Sequence, residues 1–299
     1  MKQHTQNQPL MGGLWMLLSG LCFVAVTALV KTMGSRLPPA EMAFLRYLMG
    51  LVFLLPVLGT IRRTPISAHM WKLFVARGGA HTIGVMLWFF AMTQIPLAEV
   101  TAMNYLSPVY ITLGAVLFLG ERLALRRLGA VLAALIGALI ILRPGFREIS
   151  PGHIAMLFAA IAFGASYLLA KFTVDGTNPV VVVAMMSIWV TVGLTPFAIA
   201  VWVTPTLAEL AVLFGVACFA TAGHYVMTLA FASAPLTVTQ PVTFLQLIWA
   251  TAVGALFFSE PVDIWVVCGG GVILGAVSFI TWREAVLKRR TITVPDTAV

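Results

Sequence analysis

Apolar blocks of about twenty residues follow one another along almost the entire chain, separated by short polar or proline-containing breaks. A helix crossing a hydrocarbon layer about 30 Å thick needs roughly 20 apolar residues at 1.5 Å rise each, and the blocks have that length. In lipid every backbone N–H and C=O must find its partner within the protein, so such blocks form helices. Composition agrees: 61% of the 299 residues are hydrophobic and 9% charged, against roughly a quarter charged in an ordinary globular chain. A water-soluble fold of this size has no interior large enough for that much apolar surface. The sequence therefore specifies an all-α membrane protein with no separate soluble domain.

The blocks place ten spanning helices at about 11–30, 39–60, 72–94, 97–118, 126–142, 152–170, 179–202, 208–232, 236–258 and 262–282. The breaks carry turn residues, among them Leu37-Pro38-Pro39, Arg143-Pro144-Gly145 and Ser233-Ala234-Pro235. With the amino terminus inside, the inner segments hold twelve Lys and Arg residues and the outer loops four, while Arg46 and Arg77 lie within spans. Positive charge gathers on cytoplasmic loops, so both termini are expected in the cytoplasm. An even number of spans requires the same. The net charge of +8 is thus a topology signal; no basic stripe with interleaved aromatics marks a nucleic-acid surface. Cys22, Cys218 and Cys268 all fall inside apolar blocks and read as small core residues rather than disulfide partners. Met1 to Pro9 reads as a retained cytoplasmic tail.

The chain also repeats itself. Offset by 140 residues, Gly12 meets Gly152, Met16 meets Met156, Phe23 meets Phe163, Lys31 meets Lys171, Pro39 meets Pro179 and Pro56 meets Pro196. Offset by 139, Pro96 meets Pro235, Thr112 meets Thr251 and Glu121 meets Glu260; at 138, Gly137-Ala138 meets Gly275-Ala276. Paired prolines, lysines and glutamates at so constant an offset point to an internal duplication. It divides the chain into a tail at 1–10, a first five-helix repeat at 11–146, a second at 147–284 and a tail at 285–299. Five is odd, so the second half enters the bilayer upside down. Ten helices as two inverted five-helix repeats is an architecture of alternating-access carriers, with the site near the midplane between the halves.

The run Leu106-Ser107-Pro108-Val109-Tyr110 through Leu119-Gly120-Glu121-Arg122-Leu123, followed by a Gly-spaced helix, resembles the EamA repeat of the drug/metabolite transporter superfamily. Phe257-Phe258-Ser259-Glu260-Pro261 repeats it more loosely, lacking the Gly before the Glu and the Pro within the preceding span. The resemblance covers almost the whole chain. It implies a ten-helix secondary transporter of a bacterial inner membrane, with both ends cytoplasmic. Within the superfamily the chain looks most like the YddG-type exporters of aromatic amino acids, which implies export of aromatic or other largely apolar amino acids. Carriers of drugs or other amphipathic solutes are the alternative, and a channel-like facilitator is a further one.

Polar groups inside the membrane are costly and mark candidate functional positions. His81 and His224 lie on spans related by the repeat, at similar depth, with His224 mapping onto Val85 one turn from His81. Thr101, Asn104 and Pro108 form one face of span four, and the repeat maps them onto Gln240, Thr243 and Leu247 of span nine. Trp88, Tyr105, Tyr167 and Tyr225 lie deep in spans, away from the interfaces where such rings gather, and suit a pocket for flat or amphipathic solutes. These positions, His81, Trp88, Thr101, Asn104, Tyr105, Tyr167, His224, Tyr225, Gln240 and Thr243, are the expected substrate contacts. Arg46 and Glu99, both in the outer half of the membrane, are candidates for an ion-paired outer gate, the alternative being that each snorkels to the interface. Glu121 and Glu260 stand at loop edges and are expected to cap helices or tie loops. Gly129, Ala133 and Gly137, with Gly271 and Gly275, give small-residue faces for close helix contact or a weak dimer.

No G-x-x-x-x-G-K-[ST], H-E-x-x-H or G-x-S-x-G run is present, and no nucleophile–base pair stands at depth. The chain is therefore expected to be no enzyme and to need neither cofactor nor metal. Its expected partners are lipids and a small-molecule substrate, with the protein a monomer or a weak homodimer.

Overall fold

The computed structural model describes residues 9–110, 113–114, 125–146, 148–174, 177, 179–233 and 236–292. Apart from an isolated bridge residue at Pro144, every regular element among them is helical. The α-helices are α1 (Pro9–Thr32), α2 (Pro39–Gly50), α3 (Leu58–Arg63), α4 (Ala68–Gln94), α5 (Leu97–Asn104) and α6 (Leu125–Leu142) in the first half. The second half holds α7 (Pro151–Val174), α8 (Pro179–Ala200), α9 (Leu207–Ser233), α10 (Leu236–Phe258) and α11 (Ile264–Ile292). Seven helices among the described residues are long and apolar enough to cross a membrane, and Leu128–Leu142 and Leu245–Phe258 are shorter apolar helices. Leu14, Leu18 and Leu21 on α1 and Ile154, Phe158 and Ile161 on α7 stay exposed at helical spacing, the mark of lipid-facing stripes.

Local chemistry sets the helix ends. Pro39 occupies the first turn of α2, where its missing N–H costs nothing. Ser67 caps α4, its hydroxyl accepting from the Met70 N–H at 3.3 Å. The block expected at 39–60 is broken: α2 gives way to a 3-10 stretch, Leu51–Val57, that contains Pro56. Its repeat counterpart Pro196 sits inside a continuous α8. The last helix runs on to Ile292, well into the expected tail. Span four differs most. Pro108 lacks an N–H and its ring crowds the carbonyl of residue 104, so α5 stops at Asn104. The Tyr105 and Leu106 N–H groups turn instead to the carbonyls three residues back, at 3.2 and 3.1 Å. In the second half Leu247 replaces that proline, and α10 passes through unbroken.

Helix packing repeats between the halves. α4 packs on α7, and its counterpart α9 on α1; α1 packs on α10, and α7 on α5; α4 packs on α8, and α9 on α2. α6 packs on its own counterpart α11. Directions follow from residue contacts. Gly84 lies against Phe163 while Gly152 meets Gln94 and Ile95, so α4 and α7 are antiparallel. Gly13 faces Val242 and Gly20 faces Gln246, so α1 and α10 are parallel. Lys31 at the end of α1 donates to the Ile95 carbonyl (3.2 Å) at the end of α4, so α1 and α4 also run together. Hence α1 and its counterpart α7 run in opposite directions. The closest approach of α6 and α11 is at Gly137 and Gly269, where a Cβ on either would come within 2.7 Å of the other's carbonyl oxygen. Gly129 and Gly275 face open space, while Gly137 of the expected small residues makes this close contact.

Candidate functional site

One end of the bundle is held by polar contacts. Lys31 pairs with Glu260, whose other carboxylate oxygen accepts the Leu97 N–H at 2.9 Å and so caps α5. Arg143, after α6, pairs with Asp263 before α11. Arg36 donates through Nε to Glu209 at 2.6 Å, and Glu209 also accepts the Thr206 N–H at 2.7 Å. That hydrogen bond with Glu209 raises the Arg36 guanidinium above its ordinary value, so the pair stays charged at any physiological pH. Glu41 accepts the Val203 N–H at 2.9 Å.

Glu99 belongs to this end as well. Its partner is His153 rather than Arg46. The His153 Nδ1 accepts the Ser150 N–H at 3.0 Å, which leaves Nε2 to face the Glu99 carboxylate. The expected Arg46–Glu99 gate pair is therefore replaced by two separate arrangements. Sequence counting placed both residues in one depth band but could not assign the helix faces that separate them.

A cavity of about 180 Å³ lies in the middle of the bundle, and none of the residues of the ion-paired end lines it. Tyr167, toward the end of α7 farther from the ion pairs, lines it and is 41% exposed. Five repeat-related pairs line its walls: Phe23 with Phe163 at the 140-residue offset, and His81 with Ala220, Val85 with His224, Trp88 with Met227 and Asn104 with Thr243 at 139. The cavity thus sits where the two halves face each other. Its aromatic walls are symmetric too. His81 lies 5.1 Å from Phe163 and His224 5.0 Å from Phe23, ring centre to ring centre. Trp88 extends the first wall, 6.4 Å from Phe163.

The polar lining divides by whether a partner is present. His81 is held at both nitrogens, 3.2 Å from the Ser166 hydroxyl and 3.1 Å from the Tyr47 hydroxyl. Ser19 donates to the Gly223 carbonyl at 3.0 Å. Asn104 stands at the break in span four, and its amide oxygen is buried without a hydrogen-bond partner among the described residues. Arg46 lines the cavity at 9% exposure, its guanidinium carbon 3.9 Å from the Tyr47 ring centre.

Of the expected contacts, His81, Trp88, Asn104, Tyr167, His224 and Thr243 line the cavity. Thr101 is buried and donates to the Leu97 carbonyl of its own helix at 2.9 Å. Tyr105 ties span four to span nine, its hydroxyl donating to the Thr243 carbonyl at 2.7 Å. Tyr225 is 65% exposed on the outer surface, about 100° around the helix from His224. The side chains of Gln240 and Lys171, and all of Glu121, lie outside the described residues. Phe23, Phe163, Tyr47 and Arg46 were not among the expected contacts. The alignment of Phe23 with Phe163 was a usable signal, as two bulky rings kept at equivalent places on facing helices.

Known proteins bear on this arrangement. The model of the EamA-like transporter family matches the chain twice, over residues 10–143 and 150–282. A riboflavin transporter of Rhizobium johnstonii is 30% identical over 291 residues, 95% of each chain. An S-adenosylmethionine uptake transporter of Rickettsia bellii is 26% identical over 90% of this chain and 93% of its own. A pseudopaline exporter of Pseudomonas aeruginosa is 27% identical over 89% of this chain and 94% of its own. These relatives are named for solutes other than aromatic amino acids. A solved crystal structure, 17% identical, superposes with a TM-score of 0.60 over 93% of this chain and 99% of that one, which speaks to fold alone. The twice-matched family model, read with the doubled helix packing around a central cavity, carries the conclusion that this chain is a multi-pass membrane protein belonging to the EamA-like transporter family.

Proposed function

We propose that the chain is a ten-helix secondary transporter whose inverted halves, 11–146 and 147–284, give alternating access to the central cavity. It would carry a flat, partly polar metabolite across a bacterial inner membrane, with both termini cytoplasmic. The observation that carries this reading is the cavity itself, walled by repeat-related residues of both halves and lined by none of the residues of the ion-paired end. Carriers of this design place their site at the repeat interface, often at a broken helix, and the break at Asn104 has that position. The aromatic walls suit stacking of a planar group, and Asn104 suits a hydrogen-bond donor on the solute.

The duplication also supplies a way to alternate. Lys31 and Glu260 map onto Lys171 and Glu121 at the offsets of 140 and 139. Closure of the opposite end would use that second pair when the first one opens. Riboflavin, S-adenosylmethionine and aromatic amino acids are all candidate solutes, the first two because relatives are named for them and the third because of the aromatic walls. Purified protein in liposomes, loaded with each labelled solute in turn and assayed by counterflow with and without a pH gradient, tests the reading. Saturable counterflow of at least one planar solute is expected. Solute-independent leak would favour a channel and contradict alternation.

A further inference from the structure

The charged side chains around the cavity differ in one respect. At the ion-paired end Glu41, Glu99, Glu209, Glu260 and Asp263 each hold a named donor from another part of the chain. No described Asp or Glu lines the cavity, yet Arg46 does, at 9% exposure and without an acidic partner among the described residues. A second cation stands close by. Arg77, one turn before His81 and 7% exposed, donates to the Val182 carbonyl at 3.3 Å and approaches the Met186 sulfur at 3.3 Å, again with no described acid beside it. Among the described residues, the charge around the site is therefore positive.

An unpaired guanidinium inside a membrane protein is expensive, and the expense is met only if water or a ligand reaches it. Tyr47 stacks against Arg46 without neutralising it. The position also breaks the symmetry of the halves: the 140-residue offset maps Arg46 onto Met186, which does not line the cavity. Scaffold is shared between the repeats here, and this charge is not. The guanidinium fork matches carboxylate and phosphate geometry.

We propose that Arg46 anchors a carboxylate or phosphate group on the transported solute, so that the substrate is a planar metabolite bearing at least one anionic group. The aromatic walls of Trp88 and Phe163 take the ring system, and the unpartnered amide oxygen of Asn104 accepts from a donor elsewhere on the solute. This rests on the reading of the cavity as the transport site.

Matched solutes that differ by one anionic group provide the test: tryptophan against tryptamine, and riboflavin 5′-phosphate against riboflavin. In counterflow by the wild-type protein, the anionic member of at least one pair is expected to be carried, or to compete, at least about tenfold better than its partner. Arg46→Gln is expected to erase that preference and Arg46→Lys to keep part of it, with an unchanged elution volume in detergent. Equal handling of both members of both pairs overturns the proposal with no need for a folded variant. So does a preference that survives Arg46→Gln. Transport without anionic preference removes this proposal alone, whereas no counterflow of these four solutes or of S-adenosylmethionine removes the transport reading and this proposal with it.

Discussion

The two halves of the molecule share a scaffold and differ in what they present to the cavity. Phe23 and Phe163 stand at equivalent places, each beside a histidine of the facing half. Around that shared frame the first half contributes Arg46, His81 and Trp88 where the second has Met186, Ala220 and Met227. The break at Pro108 likewise has no match at Leu247. Duplication accounts for the walls and the packing. The proposed recognition rests where the first half departs from the second, because a solute with distinct ends needs an asymmetric site.

Substitutions that make the first half resemble the second should break this contrast, and their effects can be ordered. Arg46→Met is expected to cost the most transport, about tenfold to a hundredfold or ~1.4–3 kcal/mol. It should leave the melting temperature unchanged or raised, since an unpaired buried charge is removed; a lower melting temperature would show that Arg46 has a structural partner. Glu260→Ala comes next. It uncaps α5 and strands Lys31, for a destabilisation of about 2 kcal/mol by thermal melting in detergent. His81→Ala, copying Ala220, leaves the Tyr47 and Ser166 hydroxyls without their shared partner and should cost about 1–2 kcal/mol of stability. Trp88→Met, copying Met227, trims one aromatic wall and should weaken solute affinity by about 1 kcal/mol with little change in melting. The exposed Arg36–Glu209 pair lies outside the contrast, and Arg36→Ala is expected to change neither measurement.

Much of the architecture was legible because a bilayer imposes lengths and a duplication imposes offsets. The all-helical membrane fold and the two matched halves follow from those two constraints, whereas of the ten expected spans seven described helices are long and apolar enough to cross, and Pro56 and Pro196 stand in unlike local structure. Facing was harder to read. Lipid is as apolar as a helix interface, so periodicity does not say which side of a spanning helix looks inward. Tyr225 and Thr101 were placed with the site for that reason, though one faces outward and the other bonds its own helix. Arg46 and Glu99 were matched by depth alone. The partner of Glu99 turned out to be His153, a loop-edge residue that enters the core only through the turn at Ser150. The unpaired state of Arg46 was not legible at all, since it depends on where every acid points.

Side-specific labelling of one cavity residue tests the account most directly. With Cys22, Cys218 and Cys268 replaced, Met227→Cys places a single thiol on the cavity wall. A membrane-impermeant thiol reagent is then applied to right-side-out and inside-out vesicles. The account predicts labelling from the cytoplasmic side, protection by a transported solute, and labelling from both sides once Glu260→Ala opens the ion-paired end. Labelling of the otherwise unaltered protein only from the outer side, or labelling that no transported solute slows, would contradict it.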